Sequence, residues 1–144
     1  MKVNELMVGD LLRVNKDVCL KKGTIVEVRG VDADNEFIEK GLKGCATCVN
    51  INDHCESGGI WVDFLEPIPL TSEILDKNFE RKEHGWQVKD CWKIWANPNY
   101  GYILSTLVMD DFGGGSYEPC IPCTYLHELQ NAMTVLRAGK EIKQ

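Results

Sequence analysis

The stretch from residue 9 to residue 68 constrains the fold more than any other part of this chain. It reads Gly9-Asp10-Leu11-Leu12-Arg13-Val14, then Lys22-Gly23-Thr24-Ile25-Val26-Glu27-Val28-Arg29-Gly30, and closes with Gly59-Ile60-Trp61-Val62-Asp63-Phe64-Leu65. Each short apolar or β-branched run is bounded by Gly, Asp or Asn, residues that turn a chain. After Thr24 the pattern has a period of two. Ile25, Glu27 and Arg29 share one face and Val26 and Val28 the other, as in a half-buried strand.

Short strands at this spacing predict a strongly bent antiparallel barrel of the SH3-like kind over residues 1–68. Its strands are expected at residues 6–14, 24–31, 37–38, 45–51 and 60–65, with a short extended piece at 18–20, a turn at 32–35 and a polar loop at 52–59. Glu66-Pro67-Ile68-Pro69-Leu70 reads as a connector, because two prolines cannot join a central ladder. Residues 69–144 read as a small α+β unit. Thr71 caps a short helix over 72–77, with Glu73 near its positive end. An antiparallel meander follows at 86–88, 91–96 and 102–109, then an edge strand at 117–121, with Gly113-Gly114-Gly115 as a flexible break. Leu126, Leu129, Met133 and Leu136 form an apolar helical stripe behind Thr124, and Gly139 sits where that helix ends. The whole is an α+β chain: an N-terminal SH3-like barrel, then a small antiparallel sheet with a packed C-terminal helix.

Charge narrows the function. The chain carries 16 basic and 22 acidic residues, net −6, and neither half is basic: residues 1–71 hold 8 against 12, residues 72–144 hold 8 against 10. Nucleic-acid binding draws on phosphate neutralisation, so this balance disfavours it. The basic knots Lys21-Lys22 and Arg81-Lys82 sit beside acids and read as solvated faces. The start has no apolar stretch behind it, and no run approaches the roughly 18 apolar residues that span a bilayer. The seven cysteines are then expected as reduced thiols of a cytoplasmic protein.

Several groups invite chemistry. Cys45-Ala46-Thr47-Cys48 and Cys120-Ile121-Pro122-Cys123, with His54 and Cys55 near the first, have the spacing of a zinc site. The residues around Cys45 and Cys48 look like straight strand, however, and side chains three apart in a strand point to opposite faces. Cys120-Ile121-Pro122-Cys123 ahead of a helix has the form of a redox motif, but too few residues follow to complete a thioredoxin fold, and Glu118-Pro119 replaces the usual Trp. His127-Glu128 opens a His-Glu-x-x-His zinc motif whose second imidazole position is Asn131, so the pair reads as the polar flank of an amphipathic helix. His54 lacks a partner to orient it and reads as exposed. The aromatic residues remain. On the strand after Cys91, Trp92, Ile94 and Ala96 alternate with Lys93 and Trp95, so Trp92 and Trp95 face opposite sides. An exposed Trp beside Tyr100 and Tyr102 is a stacking surface for a peptide or sugar.

The runs Gly9-Asp10-Leu11-Leu12-Arg13-Val14, Lys22-Gly23-Thr24-Ile25-Val26-Glu27-Val28, Leu65-Glu66-Pro67-Ile68-Pro69-Leu70-Thr71 and Leu126-His127-Glu128-Leu129-Gln130 resemble a group of small uncharacterised proteins of gut bacteria and their mobile elements and phages. The resemblance spans nearly the whole chain. It implies a context and no mechanism; similar sequences often have His where this chain has Asn131, so metal chemistry is not required there.

The reading from sequence is therefore a non-enzymatic cytoplasmic accessory protein that binds a protein partner. It needs no cofactor and no metal, and Trp61, Trp95, Tyr100 and Tyr102 are its candidate binding residues. The alternatives are a zinc-stapled module or metal-dependent hydrolase using the Cys and His residues, and a barrel that binds nucleic acid. Oligomeric state is left open.

Overall fold

The computed structural model describes Met1 and residues 5–32, 44–89 and 91–136. The expectations at residues 37–38 and at Gly139, and most of the turn at 32–35, lie outside the described residues. The chain divides into two compact units, Met1–Ile68 and Pro69–Gln144. The fold is α+β, with antiparallel sheets predominating.

The first unit holds β1 (Leu11–Val14), β2 (Ile25–Asp32), β3 (Cys45–Asn50), β4 (Ser57–Trp61) and β5 (Leu65–Pro67), all antiparallel, in the order β4-β3-β2-β1-β5. Among the described residues β4 and β5 end the order without pairing, so the sheet stays open and the expected closure into a barrel is not seen. The alternation read from the sequence does set the buried face. Val26 and Val28 of β2 are buried with Leu12, Val14, Ala46, Cys48 and Ile60, and Leu6, Leu20, Val62 and Leu65 complete this core.

Three local expectations change here. The first strand starts at Leu11, not residue 6, because Gly9 (φ 100°) and Asp10 bend the chain; the Asp10 carboxylate accepts from the Met7 N–H at 2.8 Å. The run 60–65 is not one strand. β4 already begins at Ser57 and stops at Trp61, and a 3-10 turn, Val62–Phe64, leads into β5. Pro67 belongs to that last strand rather than to a connector, which proline tolerates because β5 is an edge with only β1 beside it.

The second unit opens with α1 (Ser72–Asn78), capped as its sequence implies: the Thr71 hydroxyl accepts from the Ile74 N–H at 3.3 Å. β6 (Glu80–Lys82), β7 (Gly85–Lys89), β8 (Trp92–Asn97), β9 (Gly101–Met109) and β10 (Gly115–Cys123) then form a meander in the order β10-β9-β8-β7-β6, and α2 (Leu126–Val135) follows. β6 has no counterpart in the sequence reading, because its three exposed residues are all charged and carry no apolar alternation. Glu128 reaches back to accept from the Tyr125 N–H at 3.0 Å and fixes the start of α2.

Cross-strand partners share a face, so the register sorts the sheet residues. Trp86 pairs Ile94, Ile94 pairs Leu104 and Tyr102 pairs Cys123; apart from half-buried Tyr102 these are buried, as are Leu75 of α1 and Leu126, Leu129, Ala132 and Met133 of α2. Gln87, Lys93, Trp95, Ile103 and Ser105 take the opposite face. No helix among the described residues is long and apolar enough to cross a membrane.

Candidate functional site

That opposite face gathers an aromatic cluster around Trp95. Its ring meets Tyr117 of β10 edge-on, with centroids 6.0 Å apart, and lies nearly parallel to His84 at 6.4 Å. The Lys93 ammonium stands 5.3 Å from the Trp95 centroid and 4.6 Å from that of Tyr117. A cation over two ring faces is held by their quadrupoles, at about 0.5–1 kcal/mol each where water has access. Lys93, Trp95 and Tyr117 are half-buried and His84 is exposed, so the cluster is anchored yet reachable.

His84 takes part because Glu83-His84 form the two-residue turn between β6 and β7. Gly85 makes that turn possible. Its φ is +140°, and a Cβ there would lie 2.1 Å from the Ile94 carbonyl oxygen. An open cleft of about 500 Å³ lies between this turn and Trp95, lined in part by Arg81, Lys82, Glu83, His84, Trp86 and Trp95, so its charged residues are of both signs. The indole N–H of Trp86 donates to Asp76 at 2.7 Å; Arg81 pairs with the same carboxylate at 3.1 Å and lies over the Trp86 ring at 5.2 Å. Asp76 thus fixes both the buried Trp and one cation of the rim. Lys82 is paired with Glu80.

The residues singled out from sequence are not one surface. Trp61 is in the first unit, half-buried at the end of β4 opposite Cys45. Tyr100, 55% exposed, sits in the β8–β9 turn, where its N–H donates to the Asn97 side chain at 3.2 Å. Tyr102 pairs Ala96 while Trp95 pairs Ile103, so Tyr102 is on the other face and packs edge-on against Trp86 at 5.7 Å. The companions of Trp95 are instead His84, Lys93 and Tyr117. The alternation of β8 puts Lys93 with Trp95, but Tyr117 comes from two strands away and His84 from a turn, and neither is marked in the sequence.

The thiols and imidazoles are placed differently from one another. β3 is regular through Cys45 and Cys48, and its alternation sends them to opposite faces. Burial pushes the Cys48 thiol up to about 12, with the nearby Cys45 and Cys19 adding to it. Cys45 is also raised, first by burial and then by Asp32. β10 continues as strand through Cys123, with an irregularity at Cys120, and α2 starts only at Leu126, so neither thiol caps a helix. Cys123 is fully buried and its thiol is pushed up to about 12 by burial, then by Glu128. It is a neutral thiol at physiological pH, the reverse of a redox nucleophile. His54 is exposed. His127, expected on a polar flank, is buried, and the Tyr125 ring just ahead of the helix stacks on it at 6.0 Å. Among the described residues no three His, Cys, Asp or Glu side chains are grouped to hold a metal ion.

The chain matches no protein-family model, no curated protein and no solved structure.

Proposed function

We propose that this chain is a protein-interaction module whose docking site is the aromatic, cation-lined face around Trp95. The observation that carries the reading is the Lys93 ammonium held over both Trp95 and Tyr117 beside an open cleft. Such a site is pre-ordered, so little side-chain entropy remains to be lost on binding. Trp and Tyr are among the residues that most often dominate interface energies, and Trp95 and Tyr117 meet here. The Trp95 and Tyr117 rings suit an aromatic side chain, and the Lys93 ammonium beside them suits an acidic neighbour on the same segment.

For the first unit, the order β4-β3-β2-β1-β5 and the 3-10 turn between the last two strands support the SH3-like reading. The free thiols fit a reducing compartment. A non-enzymatic accessory role, in the context that the gut-bacterial resemblance implies, is part of this proposal; what supports it is the contact surface offered by Lys93, Trp95 and Tyr117.

Selection of displayed peptides against the purified chain tests this. The expected binders carry an aromatic residue flanked by acids and lose at least tenfold in affinity with Trp95→Ala. Binders indifferent to Trp95→Ala, or a labelled oligonucleotide that outcompetes every peptide at low salt, would overturn it.

A further inference from the structure

Two adjacent glycines of β4 mark what lies on either face of the first sheet. A Cβ on Gly58 would fall 2.5 Å from the Cys19 Sγ and 3.3 Å from the Cys19 Cβ, whereas one on Gly59 would fall 3.3 Å from the Cys45 Sγ. Neighbouring residues of a strand point to opposite faces, so Cys19 and Cys45 lie on different sides of β4. The Cys19 thiol occupies the space that the missing side chain of Gly58 leaves.

The register places a second thiol beside that space. Gly58 is paired with Cys48 of β3, and the Cβ positions of directly opposed antiparallel residues are about 4.5–5.5 Å apart on one face. Cys19 and Cys48 are thus both neighbours of one point. Cys19 also helps to push up the Cys48 and Cys45 thiols, as a thiol close to β3 does. The two differ in access: Cys19 is exposed and Cys48 is buried. The chain on either side holds Cys19 in place, since the Asp17 carboxylate accepts from the Lys22 N–H at 2.7 Å and Leu20 is buried in the core. A disulfide needs its Cβ atoms about 3.5–4.5 Å apart, and no side chain of Gly58 stands in the way of that approach.

We infer that Cys19 and Cys48 are an oxidisable pair, a site at which peroxide converts two free thiols into one disulfide. Exposed Cys19 reacts first. Its sulfur attacks hydrogen peroxide and loses two electrons; the O–O bond breaks, one oxygen stays on Sγ as a sulfenic acid, and the other leaves as water. The Cys48 sulfur then attacks the Cys19 Sγ. The S–O bond breaks, and the departing hydroxide takes the Cys48 proton and leaves as a second water. Two thiols and one peroxide become one disulfide and two waters. Burial keeps the proton on Cys48, so Cys48 does not react with peroxide unaided. The new bond ties the connection between β1 and β2 to β3. Two equivalents of a small thiol, oxidised to their own disulfide, restore the pair.

Peroxide treatment of the purified full chain, followed by blocking of the remaining thiols and peptide mapping without reductant, tests this. The expected product is an intramolecular Cys19–Cys48 cross-link, lighter than the reduced chain by two hydrogens and reversed by dithiothreitol. Cys19→Ser, an exposed change, is expected to leave Cys48 a thiol under the same treatment. Gly58→Ala keeps every thiol but puts a methyl where the Cys19 Sγ lies, and is expected to slow cross-linking at least about tenfold. A Cys19 oxidised only to its sulfinic acid, a cross-link from Cys19 to Cys45 or to any other cysteine, or a Gly58→Ala variant that cross-links as fast as the wild type would overturn the pair.

Discussion

Lys93 and Tyr117 are joined across an intervening strand: the ammonium of Lys93 on β8 lies 4.6 Å from the ring centroid of Tyr117 on β10, with β9 between them. The β9 residue opposite Lys93 is Ser105, small and 2% exposed. A side chain of that size leaves room for the lysine stem and the tyrosine ring above it. The aromatic face is thus a property of three strands in register, and its energetics differ from those of the buried face behind it.

That difference is measurable. Lys93→Ala removes two cation–π contacts in a water-accessible setting, each worth about 0.5–1 kcal/mol at most. Urea unfolding is expected to shift by no more than about 1–2 kcal/mol, while affinity for a docked aromatic segment falls several-fold. A larger loss of stability than of affinity would assign Lys93 to the scaffold.

Trp86 should behave in the opposite way. Its indole N–H donates to the Asp76 carboxylate at 2.7 Å from a buried ring. Trp86→Phe keeps most of the apolar surface and deletes this charge-assisted bond, at an expected cost of about 1.5–3 kcal/mol in urea unfolding. A cost near zero would show that the bond contributes nothing.

Gly85 is the sharpest single-atom constraint in the second unit. An alanine there would combine a φ near +140° with a methyl 2.1 Å from the Ile94 carbonyl oxygen. Gly85→Ala is expected to destabilise by more than about 2 kcal/mol and to disturb the His84 turn and the cleft together. Unchanged stability by thermal or urea unfolding would contradict the placement of this turn.

The buried thiols set an alkaline limit. Cys48 and Cys123 rise from an ordinary value of 9.0 to about 12 in the folded chain, chiefly through burial. The unfolded chain therefore releases these protons first. Their contribution to stability is complete below pH 9 and is lost as pH climbs from 9 toward 12. At one unit above 9 each thiol accounts for a loss of about 1.4 kcal/mol. Urea midpoints are expected to fall across this range, and Cys48→Ala or Cys123→Ala to flatten the fall. Alkylation of the native protein should label exposed Cys19, Cys55, Cys91 and Cys120 quickly and spare Cys48 and Cys123. A pH-independent midpoint, or early labelling of Cys123, would contradict these burials.

How far the sequence leads depends on whether a feature is local. Period-two alternation over Val26 and Val28, the Thr71 cap and the stripe Leu126, Leu129 and Met133 are local, and each reappears in the structure with the expected face buried. What fails is what long-range pairing decides. The apolar run 60–65 carries no local sign that it breaks at Trp61 into a 3-10 turn. Glu80–Lys82 becomes a strand only because β7 is beside it. Gly113-Gly114-Gly115, expected to be a flexible break, is instead built into an ordered turn by the carboxylate of Asp110. The aromatic site divides the same way. The β8 alternation turns half-buried Trp95 away from the core face, but only the register shows that Tyr102 faces the other way and that Tyr117 and His84 take its place.

The most direct measurement compares the affinity of an acidic, aromatic peptide for the wild-type chain and for Trp95→Ala, with folding of both verified by far-UV circular dichroism. The account expects at least a tenfold loss in the variant with the fold intact. Equal affinity, with both proteins folded, would contradict the assignment of the Trp95 face as the docking site.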